Sequence, residues 1–250
     1  MKRTFLILLI IVSRNITAQS ADSLFVEANK LYQQEDYEKA LEVYTQLEAQ
    51  DIVSDDLYYN IANANYKLNK VAPAIYYYEK ALMLNPTNED AAFNLGFAKR
   101  MAIDNIEPLP KTFVQKFKDG FVLKLTYNTW AWLAVILLFF FAVLFLLYHF
   151  SYDSNRKRLF FTVGTISLLL AIVSLALAYQ NYDHVLKSNY AIVFAQQTEV
   201  KTAPTMSSEV NFQLHEGTKV QLLESLDNWK KIKIADGKVG WIIADDIKEL

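Results

Sequence analysis

An all-α repeat domain, a two-helix transmembrane hairpin and a small all-β barrel, joined as one multi-domain membrane protein, make up the fold class that the sequence predicts. Three observations carry this. Residues 21–100 repeat themselves with a period of 34. Two long stretches, Leu125–Tyr152 and Leu159–Tyr182, contain no Asp, Glu, Lys or Arg. Beyond residue 187 the pattern changes to short alternating or β-branched runs, about ten residues apart.

The chain begins Met1, Lys2, Arg3, followed by an apolar run from Phe5 to Val12 and by Ala18-Gln19-Ser20. A basic start, a short apolar centre and small residues near a cut site describe a secretory signal peptide over residues 1–20. Cleavage after Ala18 or Ser20 is expected. A retained anchor is the other reading, and Arg14 counts against it.

Within residues 21–100, Ala28 and Ala62, Asn29 and Asn63, Tyr32 and Tyr66, Ala40 and Ala74, and Tyr44 and Tyr78 each stand 34 residues apart. Small residues at fixed places let antiparallel helices approach closely, with aromatics between them. The phrases "ANKLYQQEDYEKALEVY" and "ANANYKLNKVAPAIYYYEKAL", closed by Pro86, resemble the tetratricopeptide repeat. The expected repeats run 21–54 and 55–88. A partial third follows in "DAAFNLGFAKR", completing a domain over 21–102. Ile52 stands in place of the first repeat's proline, and Asn65 in place of the usual aromatic.

The resemblance implies a concave surface lined by the first helix of each repeat. Its groove places hold Asp22, Phe25, Asn29 and Tyr32, then Asp56, Tyr59, Asn63 and Tyr66, then Asp90, Phe93, Phe97 and Arg100. Spacings of three and four put each set on one helical face. The candidate peptide groove is therefore Phe25, Asn29, Tyr32, Tyr59, Asn63, Tyr66, Phe93, Phe97 and Arg100. Amides can grip an extended backbone, and aromatics give rigid apolar area. The bland reading is that these rings pack between helices. Asn29 and Asn63 are expected clear of the helix crossings, so replacing both with Ala should weaken a partner and spare helicity. Some tetratricopeptide domains clamp a terminal carboxylate, but the basic places of that clamp hold Phe25, Phe93 and Phe97.

A connector over 103–128 opens with the helix-breaking Ile106-Glu107-Pro108-Leu109-Pro110. Phe113, Phe117, Phe121 and Leu125 then recur every four residues among Lys111, Lys116, Lys118 and Lys124. This segment fits either a membrane surface, rings inserted and lysines at headgroups, or a short helix packed on the repeat domain.

Spans are expected at 129–150 and 159–182. At 1.5 Å per helical residue, 24 uncharged residues reach about 36 Å, enough for a hydrocarbon core of about 30 Å. The loop between them, 151–158, reads "SYDSNRKR" and forces an antiparallel hairpin. Its Arg156, Lys157 and Arg158 argue for a cytoplasmic loop, whereas four lysines before the first span pull the other way. The signal peptide agrees with the loop, placing the repeat and barrel domains on the outer side of the cytoplasmic membrane. Trp130, Trp132 and Tyr148 occupy expected interfacial places. Without a charge inside either span, an ion or proton path is not expected.

In the tail, "YAIVFA", "TEVKTA", "KVQLLE" and "WKKIKI" read as strands, with turns at His215-Glu216-Gly217 and Ala235-Asp236-Gly237. Pro204, Ser207-Ser208, Gly217, Trp229 and the Gly240-Trp241 pair make residues 187–250 resemble a bacterial SH3-type domain. Trp229 and Trp241 are expected to fill the core and rim of so small a barrel, a ligand platform being the other reading. Truncating Trp241 should unfold the isolated barrel.

The chemistry expected is that of binding, with no catalytic, metal or cofactor residues. The chain has no cysteine, which removes thiolate sites and disulfides. Ser207 and Ser208 have no histidine at a motif spacing, and the adjacent Asp245 and Asp246 point apart. Net charge is −2 overall and −6 over residues 21–100, with no basic stripe for nucleic acid.

Taken together, these segments resemble the BatE-type proteins of the Bacteroides aerotolerance operon family. That resemblance implies a non-enzymatic component of the bacterial inner membrane working with other Bat proteins, several carrying von Willebrand factor A domains. Two readings remain: a membrane-anchored scaffold that binds partner proteins, or a cell-wall sensor whose barrel recognises peptidoglycan peptides.

Overall fold

A computed structural model describes residues 21–187 and 189–250; the signal-peptide segment lies outside them. The chain forms two compact units. One combines the repeat helices through Leu84, residues 88–109 and Tyr190–Leu250; the other holds Asn85–Thr87 and Pro110–Asn189.

Five helices build the first part: α1 (residues 21–33), α2 (Tyr37–Glu48), α3 (Asp55–Lys67), α4 (Val71–Leu84) and α5 (Glu89–Met101). Asp36, Ser54 and Asn88 cap α2, α3 and α5 by accepting from the backbone N–H of Lys39, Leu57 and Ala91. Phe25 meets Tyr44 and Tyr32 meets Tyr37, so α1 and α2 run antiparallel. Ala28, Ala40, Ala62 and Ala74 are fully buried in one core with Tyr44 and Tyr78. Asn65 is buried as well, and its amide is satisfied by donating to the Ile61 carbonyl at 2.8 Å. A polar residue is thus accommodated at an aromatic's usual place without an unmet hydrogen bond.

The connector is divided rather than continuous. Residues 102–109 belong with the sheet, where Ile106 packs on its core and the Leu109 N–H donates to the Ala235 carbonyl at 3.1 Å. The remainder, α6 (Phe113–Phe117) and a π-helical turn (Lys118–Val122), belongs with the long helices.

Those are α7 (Tyr127–Phe150) and α8 (Ser154–Lys187), both long and apolar enough to cross a membrane. The expected eight-residue loop shrinks to three, because Asp153 accepts from the N–H groups of Asn155 and Arg156 and starts α8 early. On α8, Gly164, Ser167, Ala171, Ser174, Ala178 and Asn181 follow at spacings of three and four, and all are buried. Small residues bring the helices close, and Ser167 and Ser174 donate to the Leu137 and Trp130 carbonyls at 2.8 and 2.7 Å. Large apolar side chains cover the outside of the pair. Trp130 departs from its expected interfacial role: it is buried, and its indole donates to the Val122 carbonyl at 3.0 Å. Trp132 is exposed.

The tail forms a seven-stranded antiparallel sheet ordered β3-β2-β6-β5-β4-β1-β7. Its strands are β1 (Tyr190–Val193), β2 (Gln197–Lys201), β3 (Val210–His215), β4 (Lys219–Leu226), β5 (Trp229–Lys233), β6 (Val239–Ile243) and β7 (Ile247–Glu249). Leu214 of β3 and Ile247 of β7, on opposite edges, share a core with Val200, Val220, Ile232 and Ile242. A flat sheet could not bring them together, so the sheet curls as an SH3-like barrel requires. At Gly240 an added Cβ would lie 2.5 Å from Val200 Cγ1 and 3.0 Å from the Lys201 carbonyl, so β6 meets β2 closely only through glycine. Trp241 beside it is buried, with Lys231 Nζ 5.6 Å from its ring centre. Trp241→Ala in the full chain should cost about 3–5 kcal/mol. Trypsin should then cut residues 190–250 at a urea concentration that the parent withstands, and unchanged resistance would assign the ring a surface role.

Candidate binding groove

The first helices of the repeats, α1, α3 and α5, carry the expected groove residues, and a hydrogen-bonded ladder joins them. Asn29 Oδ1 accepts from the Tyr44 hydroxyl at 2.6 Å and from Asn60 Nδ2 at 3.1 Å. One period on, Asn63 Oδ1 accepts from the Tyr78 hydroxyl at 2.5 Å and from Asn94 Nδ2 at 3.0 Å. Asn94 also donates to the Tyr59 hydroxyl at 3.2 Å. Burial pushes the phenols of Tyr44 and Tyr78 far above their ordinary value, so both stay protonated donors. Asn29 and Asn63 therefore do sit at crossings: each ties its helix to the second helix of its own repeat and to the first helix of the next. Only their amide NH2 groups lack a partner among the described residues.

The rings divide in two. Phe25 and Tyr59 are half-buried against Tyr44 and Tyr78, at 6.1 Å each, and form the floor. Tyr32, Asn63, Tyr66, Lys67, Asn94 and Phe97 line a cleft of about 270 Å³. At its α5 side Phe93 is 68% exposed and Phe97 37%. The two rings meet edge to face at 4.8 Å, and the Arg100 guanidinium lies 4.3 Å from the Phe97 ring centre. Asp22, Asp56 and Asp90 are exposed in the first turns of their helices, where their charge favours the helix N-terminus. Asn60, Asn94 and Lys67 were not foreseen. Asn60 and Asn94 could have been found, since they too stand 34 residues apart.

The opposite side of the array is covered by the sheet. On β1, Ala191 and Val193 point into the sheet's core while Ile192 enters the core of the repeats. Phe194 meets Tyr76 edge to face at 5.7 Å, and Lys248 Nζ lies 4.5 Å from the Tyr76 ring centre. Glu79 on α4 is buried between Lys219 of β4 and Lys99 of α5, at 2.7 and 2.8 Å. Burial opposes its ionisation most, yet the two lysines hold its carboxyl below the ordinary 4.5. Gly217 has φ +87°, and a Cβ there would lie 2.9 Å from Ile75 Cδ1. Asp104 accepts from the His215 backbone N–H, from the Thr218 hydroxyl and, at 2.8 Å, faces His215 Nδ1. Against the cost of burial, these donors hold the Asp104 carboxyl below 3.8. The threonine hydroxyl bonds the carboxylate rather than the imidazole, so the trio is a latch and presents no activated nucleophile.

Residues 56–88 match the tetratricopeptide repeat family, and residues 197–248 match the bacterial SH3 domain. No curated protein matches the chain. Among solved structures, an NlpC/P60 family protein from Bacillus cereus ATCC 10987 is 13% identical over 28% of this chain and 23% of that one, with a TM-score of 0.22. Two structures of MamA are each 16% identical over 67% of this chain, covering 81% and 75% of theirs, with TM-scores of 0.31.

Two outcomes follow from the geometry. Replacing both Asn29 and Asn63 with Ala strips buried phenols of their acceptors, at about 1–3 kcal/mol each. Helicity at 222 nm should then melt earlier, contrary to the expectation that it would be spared. Glu79 and Asp104 both have depressed folded-state values, so their contribution is present above 4.5 and 3.8 and lost as pH falls through the folded values. Glu79→Gln should cost about 3 kcal/mol at neutral pH, the low end because Lys219 and Lys99 still reach water, and should flatten the acid limb of a urea-midpoint profile.

Proposed function

We propose that the chain is a non-enzymatic, membrane-anchored adaptor that binds partner proteins through its repeat groove. Tetratricopeptide repeats and bacterial SH3 domains serve in protein and peptidoglycan binding, which sets the class. The observation that carries the reading is the contrast between the two sides of the array. The back of α4 is covered, while Phe93, Phe97 and Arg100 stand open beside the cleft. An extended segment fits there, its apolar side chains against these rings and its backbone carbonyls at the amide NH2 groups of Asn29 and Asn63. The acidic surface of residues 21–100 favours a neutral or basic segment. In this reading α7 and α8 anchor the protein in the bacterial inner membrane with their basic turn in the cytoplasm. The partners are Bat proteins, including those with von Willebrand factor A domains.

The double change Phe93→Ala plus Phe97→Ala, which leaves the buried ladder alone, should weaken a partner captured by crosslinking at least about tenfold, or 1.4 kcal/mol. Calorimetry showing full affinity would move the binding surface off the groove. Cysteines introduced singly at Ser54 and Ser225 should react with a membrane-impermeant maleimide in spheroplasts, and one at Ser154 should not. Labelling of Ser154 alone would invert the topology.

A second reading draws on the sheet. Residues 103–107, together with Phe212, Gln213, Leu214, Asp236 and Lys238, line a cleft of about 470 Å³ bearing both signs of charge. Peptidoglycan peptides carry both amines and carboxylates. Retention of the full chain on purified cell wall, lost in Phe212→Ala, would favour the cell-wall sensor.

A further inference from the structure

We propose that Phe113–Leu125 is a collar lying in the headgroup layer of an anionic phospholipid membrane, at the level where α7 begins. This rests on reading α7 and α8 as membrane spans, and it adds a second, lateral mode of attachment.

Two polar anchors fix the segment to one end of the helix pair. The Val122 carbonyl accepts from both Trp130 Nε1, at 3.0 Å, and Asn181 Nδ2, at 3.1 Å. The same amide donates to the Leu125 carbonyl at 2.6 Å. Lys118 Nζ lies 3.3 Å from His184 Nδ1. Asn181 on α8 and Trp130 on α7 thus hold the segment at the end where α7 starts.

Held there with Val122 buried, it turns its N-terminal apolar side chains and Phe121 outward. Phe113 is 83% exposed, Val114 73%, Phe117 56% and Phe121 50%. Phe117 stacks on Phe121 at 5.4 Å, and Phe121 meets Trp130 at 5.6 Å, so the rings continue to the first turn of α7. In water such a cluster is an unsatisfied apolar patch.

Charge selects the occupant. Residues 111–125 contain Lys111, Lys116, Lys118 and Lys124 against Asp119 alone. Lys111 is spent on Asp119, at 2.6 Å. The rest of the positive charge sits beside exposed rings that lead to the first turn of a span. Lipid acyl chains already cover that span, and anionic headgroups meet both the rings and the lysines.

The chain has no native cysteine, so single labels are specific. The full chain would be placed in phosphatidylcholine–phosphatidylglycerol nanodiscs, with an environment-sensitive fluorophore at Val114→Cys, Phe117→Cys, Phe140→Cys on α7 or Ser225→Cys on the sheet. The labels at 114 and 117 should be quenched by lipid carrying a nitroxide near the headgroup and shielded from iodide, with Ser225 showing the reverse. Lys116→Glu plus Lys124→Glu should lower headgroup-nitroxide quenching at 117 about twofold, an effect absent in phosphatidylcholine alone. Deep-nitroxide quenching at Phe140 with iodide access at 114 and 117 equal to that at 225 would overturn the collar and leave the spans standing. Shielding of 114 and 117 from both quenchers would make the cover a protein and overturn it equally. Loss of quenching at Phe140 itself would overturn the spans, and the collar with them.

Discussion

Glu79 is a carboxylate in a place where none can stand alone. Its charge is tolerable because Lys99 arrives from α5 and Lys219 from β4, and that second lysine lies 140 residues further along the chain. Breaking such a pair leaves an uncompensated charge in an apolar setting, so the carboxylate holds the sheet against the repeats by penalty more than by attraction. The helix around it is buried on every side, with Tyr76, Tyr77 and Tyr78 successive in the core. Residues separated by 100° each can be buried together only if something packs on both flanks of the helix. One flank belongs to the other repeat helices and the other to β1. The repeats and the sheet are consequently one folded body, and each is incomplete without the other.

Much of this was legible. The 34-residue spacing located the crossings at Ala28, Ala40, Ala62 and Ala74 and the rings at Tyr44 and Tyr78, since a repeat prints its packing geometry onto the sequence. Uncharged length located the two long helices, and short alternating or β-branched runs located β1, β2, β4 and β5, but not β3, β6 and β7. What escaped were relations between distant segments. Asp104 and His215 bind each other across 111 residues, with no periodicity to announce it. The run "VAPAIYYYEKAL" held a clue, because it lacks the polar face of an ordinary surface helix, and that implies a cover. Asn29 and Asn63 were found as places but misread in their action. Sequence shows an amide's position and not whether its oxygen is already taken, and here Tyr44, Asn60, Tyr78 and Asn94 take it.

The ladder also changes what the groove can be. A surface built from free amides would be adaptable, whereas here each oxygen is fixed by two donors, and the NH2 groups are aimed by the same bonds that hold the helices. Rigid donors discriminate among backbones by position, at little entropic cost when a partner arrives. Adaptability is left to the α5 edge, where Phe93, Phe97 and Arg100 have no further helix stacked on them among the described residues. A two-and-a-half-repeat array thus has a stiff middle and an open end.

On the proposed reading of α7 and α8 as membrane spans, the covered back of α4 constrains their number as well. Pro110 and Asn189 mark where the chain leaves the repeat–sheet body and returns to it. An antiparallel pair of spans brings the chain back to the side it left, whereas any odd number would put β1 and α4 on opposite sides. Ile192 would then be pulled from the repeat core and Lys219 from Glu79. On the proposed reading of α7 and α8 as spans, the number of crossings between residues 110 and 189 is therefore even, whichever way the pair is inserted. The three-residue turn before Ser154 and the small-residue stripe from Gly164 to Asn181 are the local features that make α7 and α8 run antiparallel and close together. On that reading, an antiparallel return of the chain at Asn189 is what the contact of Lys219 with Glu79 requires.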